Sequence, residues 1–504
     1  MSRTHSHNRR QFLSSAASTA AGLSFLAHLP HVSRAEATLT PGMVRFTDDI
    51  EPLVQLIEET PRQRLLEQVA QKIQSGTTYR EVLAALLYAG VRNVQPRPSV
   101  GFKFHCVLVV NSCHLASLAG PDEDRWLPIF WAIDYFKDSQ ADEARRSGWH
   151  LQAVNESQVP TKEKARQAFI EAMDSWDVEQ ADVATAAIVR HLPRKDVFNL
   201  FAQYAARDFR SIGHKAIYLA NGWRTLDAIG WENAEPVLRS LTFALLNHRG
   251  ESNPSDNDHA ADLAWRVNEP RATQLGENWN KGQLDDKFTR ELIQEGRTAA
   301  PANISELVAS AMSNGVGPQS VWDGVFMSAM ELLMRQPGIV GLHGLTTANA
   351  VRYIYDNTDD ELLKRKLLLQ ASSFNPYFRE SAMGRGKLSS MNYDTWEEKA
   401  TDEKPNVESI IAEISSNKLD ASMLLRKYLS GGGAPAPLID EARRQIFLRG
   451  RNAHDYKYSS AVLEDYSHLS PNWRDDYLAL SVFSLKGSND RQSPLVERTR
   501  SAIG

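Results

Sequence analysis

Along almost the whole of this chain apolar residues return every three to four positions, and that feature confines it to a helical fold. Clear cases are the stretches 65–73, 80–88, 165–173, 183–192, 236–246, 325–334, 362–371, 407–414 and 420–429. A stripe of period 3.6 lies on one face of a helix, whereas a half-buried strand needs strict alternation. Alternating runs rich in Val, Ile and Thr are nearly absent. Residues 102–110 are the one strand-like run, yet they pass into Asn111-Ser112-Cys113-His114 without a turn signal, which predicts a buried helix. The expected class is mainly α: a large multi-helix array or α/α-toroid-like bundle with long polar loops.

Punctuation refines this. Thr78 with Glu81 three residues on predicts a capped helix start. Residues 250–285, poor in aliphatics and rich in Asn, Asp, Gly and Glu, predict a long polar connection, a lid or a surface excursion. Stretches 384–405 and 430–437 read as loops, and the last fifteen or so residues as a loose tail. Helical pattern of one kind resumes on both sides of each, so residues 38–504 are expected to form a single all-α domain.

The first 37 residues read differently. Arg9-Arg10-Gln11-Phe12-Leu13 precedes a small, moderately apolar run from Ser14 to Leu29, and Ala35-Glu36-Ala37 follows as an A-x-A cleavage signal. The paired arginines resemble a twin-arginine signal, which implies the twin-arginine export machinery as a partner, a folded cargo and a periplasmic or secreted destination. Removing residues 1–37 takes away four arginines and one glutamate, so the formal −5 of the whole chain becomes about −8. No basic tract suits nucleic acid, and no later segment has the roughly 18 apolar residues of a membrane span. Cys106 and Cys113 are the only thiols; on one helix they would stand about two turns apart, too far for a disulfide, and read as small buried apolar residues.

Ten histidines remain beyond residue 37, and four of them align. Gly101 leads to His105 and then Asn111; Gly213-His214 leads to Asn221; Gly341-Leu342-His343 leads to Asn349; and Arg451-Asn452-Ala453-His454 forms a weaker fourth case. The expectation is four helical units around a common axis, each sending one histidine inward. Converging neutral imidazoles make a site for zinc, iron, copper or manganese, and Asn221 and Asn349 would orient them. Without a metal, His214 and His343 with those two asparagines would suit acid–base catalysis. His114 falls nearly opposite His105 and is expected in the core or at its boundary. No H-E-x-x-H, G-x-S-x-G, P-loop or Rossmann fingerprint occurs. The aromatic run from Trp126 to Phe136 reads as a packed core helix, and Tyr456 and Tyr458 as pocket donors or surface residues.

The stretches around Ile212-Gly213-His214 to Asn221 and Leu342-His343-Gly344 to Arg352 resemble questin-oxidase-like proteins. That resemblance covers about the central third of the chain. It implies a helical fold with helix-start histidines and oxidation of an aromatic ring system. The leading expectation is therefore an exported oxidoreductase with a histidine-lined, metal-containing pocket for a small organic, aromatic substrate. The alternatives are an α/α-toroid polysaccharide hydrolase or lyase, with Arg210, Arg224 or Arg352 facing an open groove beside a tyrosine, and a non-enzymatic helical-repeat binding protein.

Overall fold

Helix after helix follows from that periodicity. The computed structural model describes residues 42–96, 104–246, 252–256, 258–395 and 404–504. They form twenty-two α-helices and no strand, only two isolated bridges. The proposed signal segment and Gly101 lie outside the described residues. Thr78 accepts from the Glu81 backbone N–H, and Glu81 in turn accepts from the Thr78 N–H at 2.7 Å, closing the capping box of Tyr79–Asn93. None of the described helices is long and apolar enough to cross a membrane.

Four helices occupy the centre: α1 (His105–Ala119), α2 (His214–Ile229), α3 (Ile339–Asn357) and α4 (Ala453–Asp465). α1 packs on α2 and α4, and α3 packs on the same two, so they close a ring. α1 and α2 are buried on nearly every side of their first two turns, as a central helix must be. Their first-turn histidines meet, and two turns later their side chains meet again. Asn111 donates to Asn221 at 3.4 Å, Ser460 Oγ to the Ser112 carbonyl at 3.0 Å, and Asn349 to Asp465 at 2.7 Å. All four inner helices therefore run the same way, with their N-termini at the histidines. Outer helices cover them, among them Leu127–Arg146 on α1, Ala234–Leu246 on α2, and Pro318–Arg335 and Glu361–Met383 on α3. One apolar core runs from Val44 to Leu485.

Several loop expectations are corrected. Within 250–285 a helix spans Ala260–Gln274. Its buried face is built from Ala264, Ala272 and Trp265 with Asp262 and Asn268, whose polar groups pair with Arg210 and Gln370, so an aliphatic stripe is not needed. The tail is also ordered: Leu495–Ile503 is a helix against Arg62–Gln74, with Val496 and Thr499 buried and Arg498 paired with Glu67 at 2.8 Å. Pro435 starts the helix Pro435–Arg449, because a proline costs nothing at the first helical position. Tyr456 and Tyr458 are fully buried, not at the surface; Tyr456 packs on Trp131 and Tyr458 donates to the Ser481 carbonyl at 2.7 Å. Cys106 and Cys113 are buried and are not joined in a disulfide.

Candidate metal centre

Each histidine is placed by how its helix begins. His105 is the first residue of α1, where Phe104 packs edge-on against Tyr218 at 5.0 Å. His454 follows the Asn452 cap of α4, whose side chain accepts from the His454 and Asp455 backbone N–H groups. His343 lies one turn into α3.

His214 has the most demanding entry. Ser211, Ile212 and Gly213 are all left-handed, with φ of 59°, 47° and 82°. Such a conformation costs roughly 1–2 kcal/mol for each non-glycine residue. Buried ion pairs hold the turn: Lys215 to Asp208 at 2.6 Å, and Arg210 to Asp262 through two bonds of 2.9 and 2.6 Å. A Cβ on Gly213 would stand 1.9 Å from Thr347 Oγ1, so α2 and α3 can close only over a glycine. The strain is thus spent on aiming His214 at the axis.

There, His214 Nε2 lies 2.9 Å from His105 Nε2 and 3.0 Å from His343 Nε2. His343 Nδ1 is 2.7 Å from the Ile339 carbonyl, which can only accept. The His343 proton is therefore on Nδ1, and Nε2 presents a lone pair to the centre. One proton on His214 Nε2 can be aimed at only one of its two close neighbours. A cation at the meeting point takes all three lone pairs. Around a tetrahedral ion with bonds of 2.0–2.1 Å the nitrogens would stand about 3.3 Å apart. The ligating atoms of His105, His214 and His343 all lie within 4.8 Å of one another, so this buried trio can hold a metal ion after small ring adjustments. A carbonyl-bound Nδ1 is also the usual support of a metal-ligating histidine. His454 packs edge-on against His105 at 4.6 Å and His343 at 5.2 Å between ring centroids, outside the trio that shares the site.

The electrostatics keep the rings of His105, His343 and His454 neutral. Burial is the first cause pushing His105 and His343 well below the usual histidine value, and the charges of Lys457 and the neighbouring histidines add to it. Burial, then Lys457, brings His454 down to about 3. Four helix N-termini pointing at the cluster act in the same direction. Neutral imidazole is the form that binds a metal.

Asn221 and Asn349 do not orient the histidines. Two turns below, Asn221 donates to the Leu108 carbonyl at 2.9 Å, while Asn349 donates to Asp465 and Glu464 and accepts from Arg224. They tie the ring together at its second polar layer. His114 points outward and shares a 3.1 Å hydrogen bond with the Tyr79 hydroxyl.

The residue that the sequence reading missed is Lys457. It is 2% exposed and lies one turn after His454 on the same face of α4. That i, i+3 spacing was the available signal. Outside the ring, Tyr79, Leu83, His114, Leu118, Arg224 and Tyr353 are among the residues lining a cleft of about 340 Å³. Comparison with known protein families, with curated proteins and with solved structures gave no match.

Proposed function

We propose that this protein is an exported oxidoreductase that acts on a small organic molecule through a transition metal held by His105, His214 and His343. The observation that carries the reading is the meeting of three Nε2 atoms, that of His343 presenting a lone pair because its ring proton sits on Nδ1 and is donated to the Ile339 carbonyl. Three protein ligands leave a coordination position open, as reactive rather than structural sites do. Imidazole donors suit iron and copper as well as zinc, and a site enclosed by four helices keeps reactive species from water. The questin-oxidase-like resemblance points toward oxidation of an aromatic ring. The cleft offers apolar and aromatic walls for such a ring at Leu83, Leu118 and Tyr353. Export in the folded state would let the metal be inserted beforehand.

A polysaccharide-active enzyme is the second reading, favoured by one contact. The Arg224 guanidinium lies 4.3 Å from the centre of the Tyr353 ring in that cleft, a platform for sugar. Arg210 and Arg352 do not join it; the first pairs with Asp262 and the second with Asp356.

The deciding experiment is elemental analysis and electron paramagnetic resonance of the exported protein, beside a variant with alanine at 105, 214, 343 and 454. About one equivalent of iron, copper or manganese, lost from the variant, is the expected result. Zinc in that place would move the reading to hydrolysis. Metal-free protein that stays folded would sink it.

A further inference from the structure

α1 is buried throughout its first half, yet Leu115 and Leu118 further along it stay partly exposed. On one side they face the cleft already described. On the other they form, with Phe447 and Leu463, the apolar wall of a second pocket of about 410 Å³. That is the size of a small-molecule site. Gly120 ends α1 and lets Phe447 in, since a Cβ there would stand 2.2 Å from the phenyl ring.

Two charged side chains line this pocket, and their signs are opposite. One is Arg443, from the helix Pro435–Arg449, and the other is Glu464, near the end of α4. Among the described residues the Arg443 guanidinium makes no hydrogen bond. Its ion pair with Asp440 is long, at 3.8 Å, and Asp440 is 70% exposed, so water screens it. Burial is the first cause that holds Arg443 below the ordinary guanidinium value, against the charges of Asp440 and Glu464. Glu464 acts on it through space, with no ion pair between the two. On Glu464, Oε2 takes both the Arg224 guanidinium at 2.9 Å and the Asn349 amide at 3.0 Å. Its Oε1 accepts from no described residue. The pocket thus offers a planar fork of donors and a separate carboxylate acceptor beside an apolar wall.

Charge decides the kind of ligand. Arg443 is offset by Asp440, and Glu464 by Arg224, so the wall is neutral as it stands. A simple anion or a simple cation would unbalance it. A ligand that carries both signs would not, and it could engage guanidinium and carboxylate together.

We propose that this pocket binds a free α-amino acid with an apolar side chain. Its carboxylate lies on the Arg443 fork, its ammonium donates to Glu464 Oε1, and its side chain packs against Leu115, Leu118, Phe447 and Leu463. A guanidinium matches a carboxylate through two parallel bonds, and the apolar wall supplies the rest of the affinity. The site needs no metal, so its fate is separate from that of the oxidoreductase reading.

The test is titration calorimetry of the full chain with phenylalanine. Beside it run hydrocinnamate, which lacks the ammonium, and phenethylamine, which lacks the carboxylate. One saturable site for phenylalanine is expected, with each analogue about 10- to 100-fold weaker. Arg443→Met should weaken phenylalanine by a similar factor and leave phenethylamine unchanged. Glu464→Gln should also weaken phenylalanine, while leaving hydrocinnamate unchanged. No saturable heat at millimolar phenylalanine would overturn the proposal. So would equal affinity for hydrocinnamate, the mark of a plain carboxylate site, or an unchanged affinity in Arg443→Met. A crystal of the wild-type protein soaked in para-bromophenylalanine locates the site even where a variant does not fold. Bromine signal beside Phe447 and Leu463 is expected, and signal only elsewhere would overturn the assignment.

Discussion

At the first turns of α1–α4 the imidazoles of His105, His214 and His343 converge, and among the described residues that group contains no carboxylate. Two turns further along the same helices, amides and acids pair off: Asn349 with Asp465 and Glu464, Arg224 with Glu464 and Asn349, Asn221 with the Leu108 carbonyl. Both layers are polar and largely buried, but they teach opposite things. A buried polar layer whose members satisfy one another holds helices in register. One that presents more lone pairs than protons is stable only with something added. Between them lies Lys457, which belongs to neither.

Four experiments would break or sharpen that contrast. The largest effect is expected from acid on metal-free protein. The unfolded chain takes up protons near pH 6.5 while the folded His105, His343 and His454 stay neutral. Stability present above pH 6.5 is therefore lost as the pH falls toward the folded values, by about 1.4 kcal/mol per pH unit for each ring. For His454 the loss continues to about pH 3. Urea midpoints measured from pH 7.5 to 4.5 should show this slope, and saturating metal should raise the midpoints while leaving the onset near pH 6.5, which the unfolded chain sets. A flat profile would mean that the rings are not held neutral.

Next comes Asp465→Ala in the paired layer. It removes the carboxylate that Asn349 donates to at 2.7 Å and that Tyr477 approaches at 3.4 Å. A cost of about 3 kcal/mol in chemical denaturation is expected. Arg224→Met, at the solvent end of the same layer, should cost only about 1 kcal/mol, because Glu464 keeps access to water. The smallest effect is expected from His343→Gln in metal-free protein, below about 1 kcal/mol, since it relieves a contact that protons cannot fully satisfy. The same variant should lose metal binding by 100-fold or more in a competition assay. Should it destabilise the metal-free protein as much as Asp465→Ala does, the two layers would be equivalent after all.

Much of the fold was legible because helix formation is local. The period of 3.6 marked the buried faces, Thr78 and Glu81 marked a cap, and the continuous apolar run before Asn111 marked a central helix. The misreadings at 260–274 and 495–503 share one cause. Those helices are held by a few small or aromatic contacts and by long-range polar pairs such as Asp262 with Arg210 and Glu67 with Arg498, which composition does not register.

By itself, then, the sequence determined that the chain is helical and that four histidines stand at or near the starts of four helices about 110–130 residues apart. Tertiary structure alone decided that the four helices run parallel around one axis and that three Nε2 atoms meet there. It also decided that Asn221 and Asn349 serve the ring rather than the histidines, and that Lys457 is sealed in without a partner. The physical reason is one of range. Backbone hydrogen bonding and side-chain periodicity act over a few residues, whereas the direction in which a buried ring points depends on packing across more than a hundred. At His214 it depends further on a left-handed turn that local preference disfavours and that Lys215–Asp208 and Arg210–Asp262 hold in place.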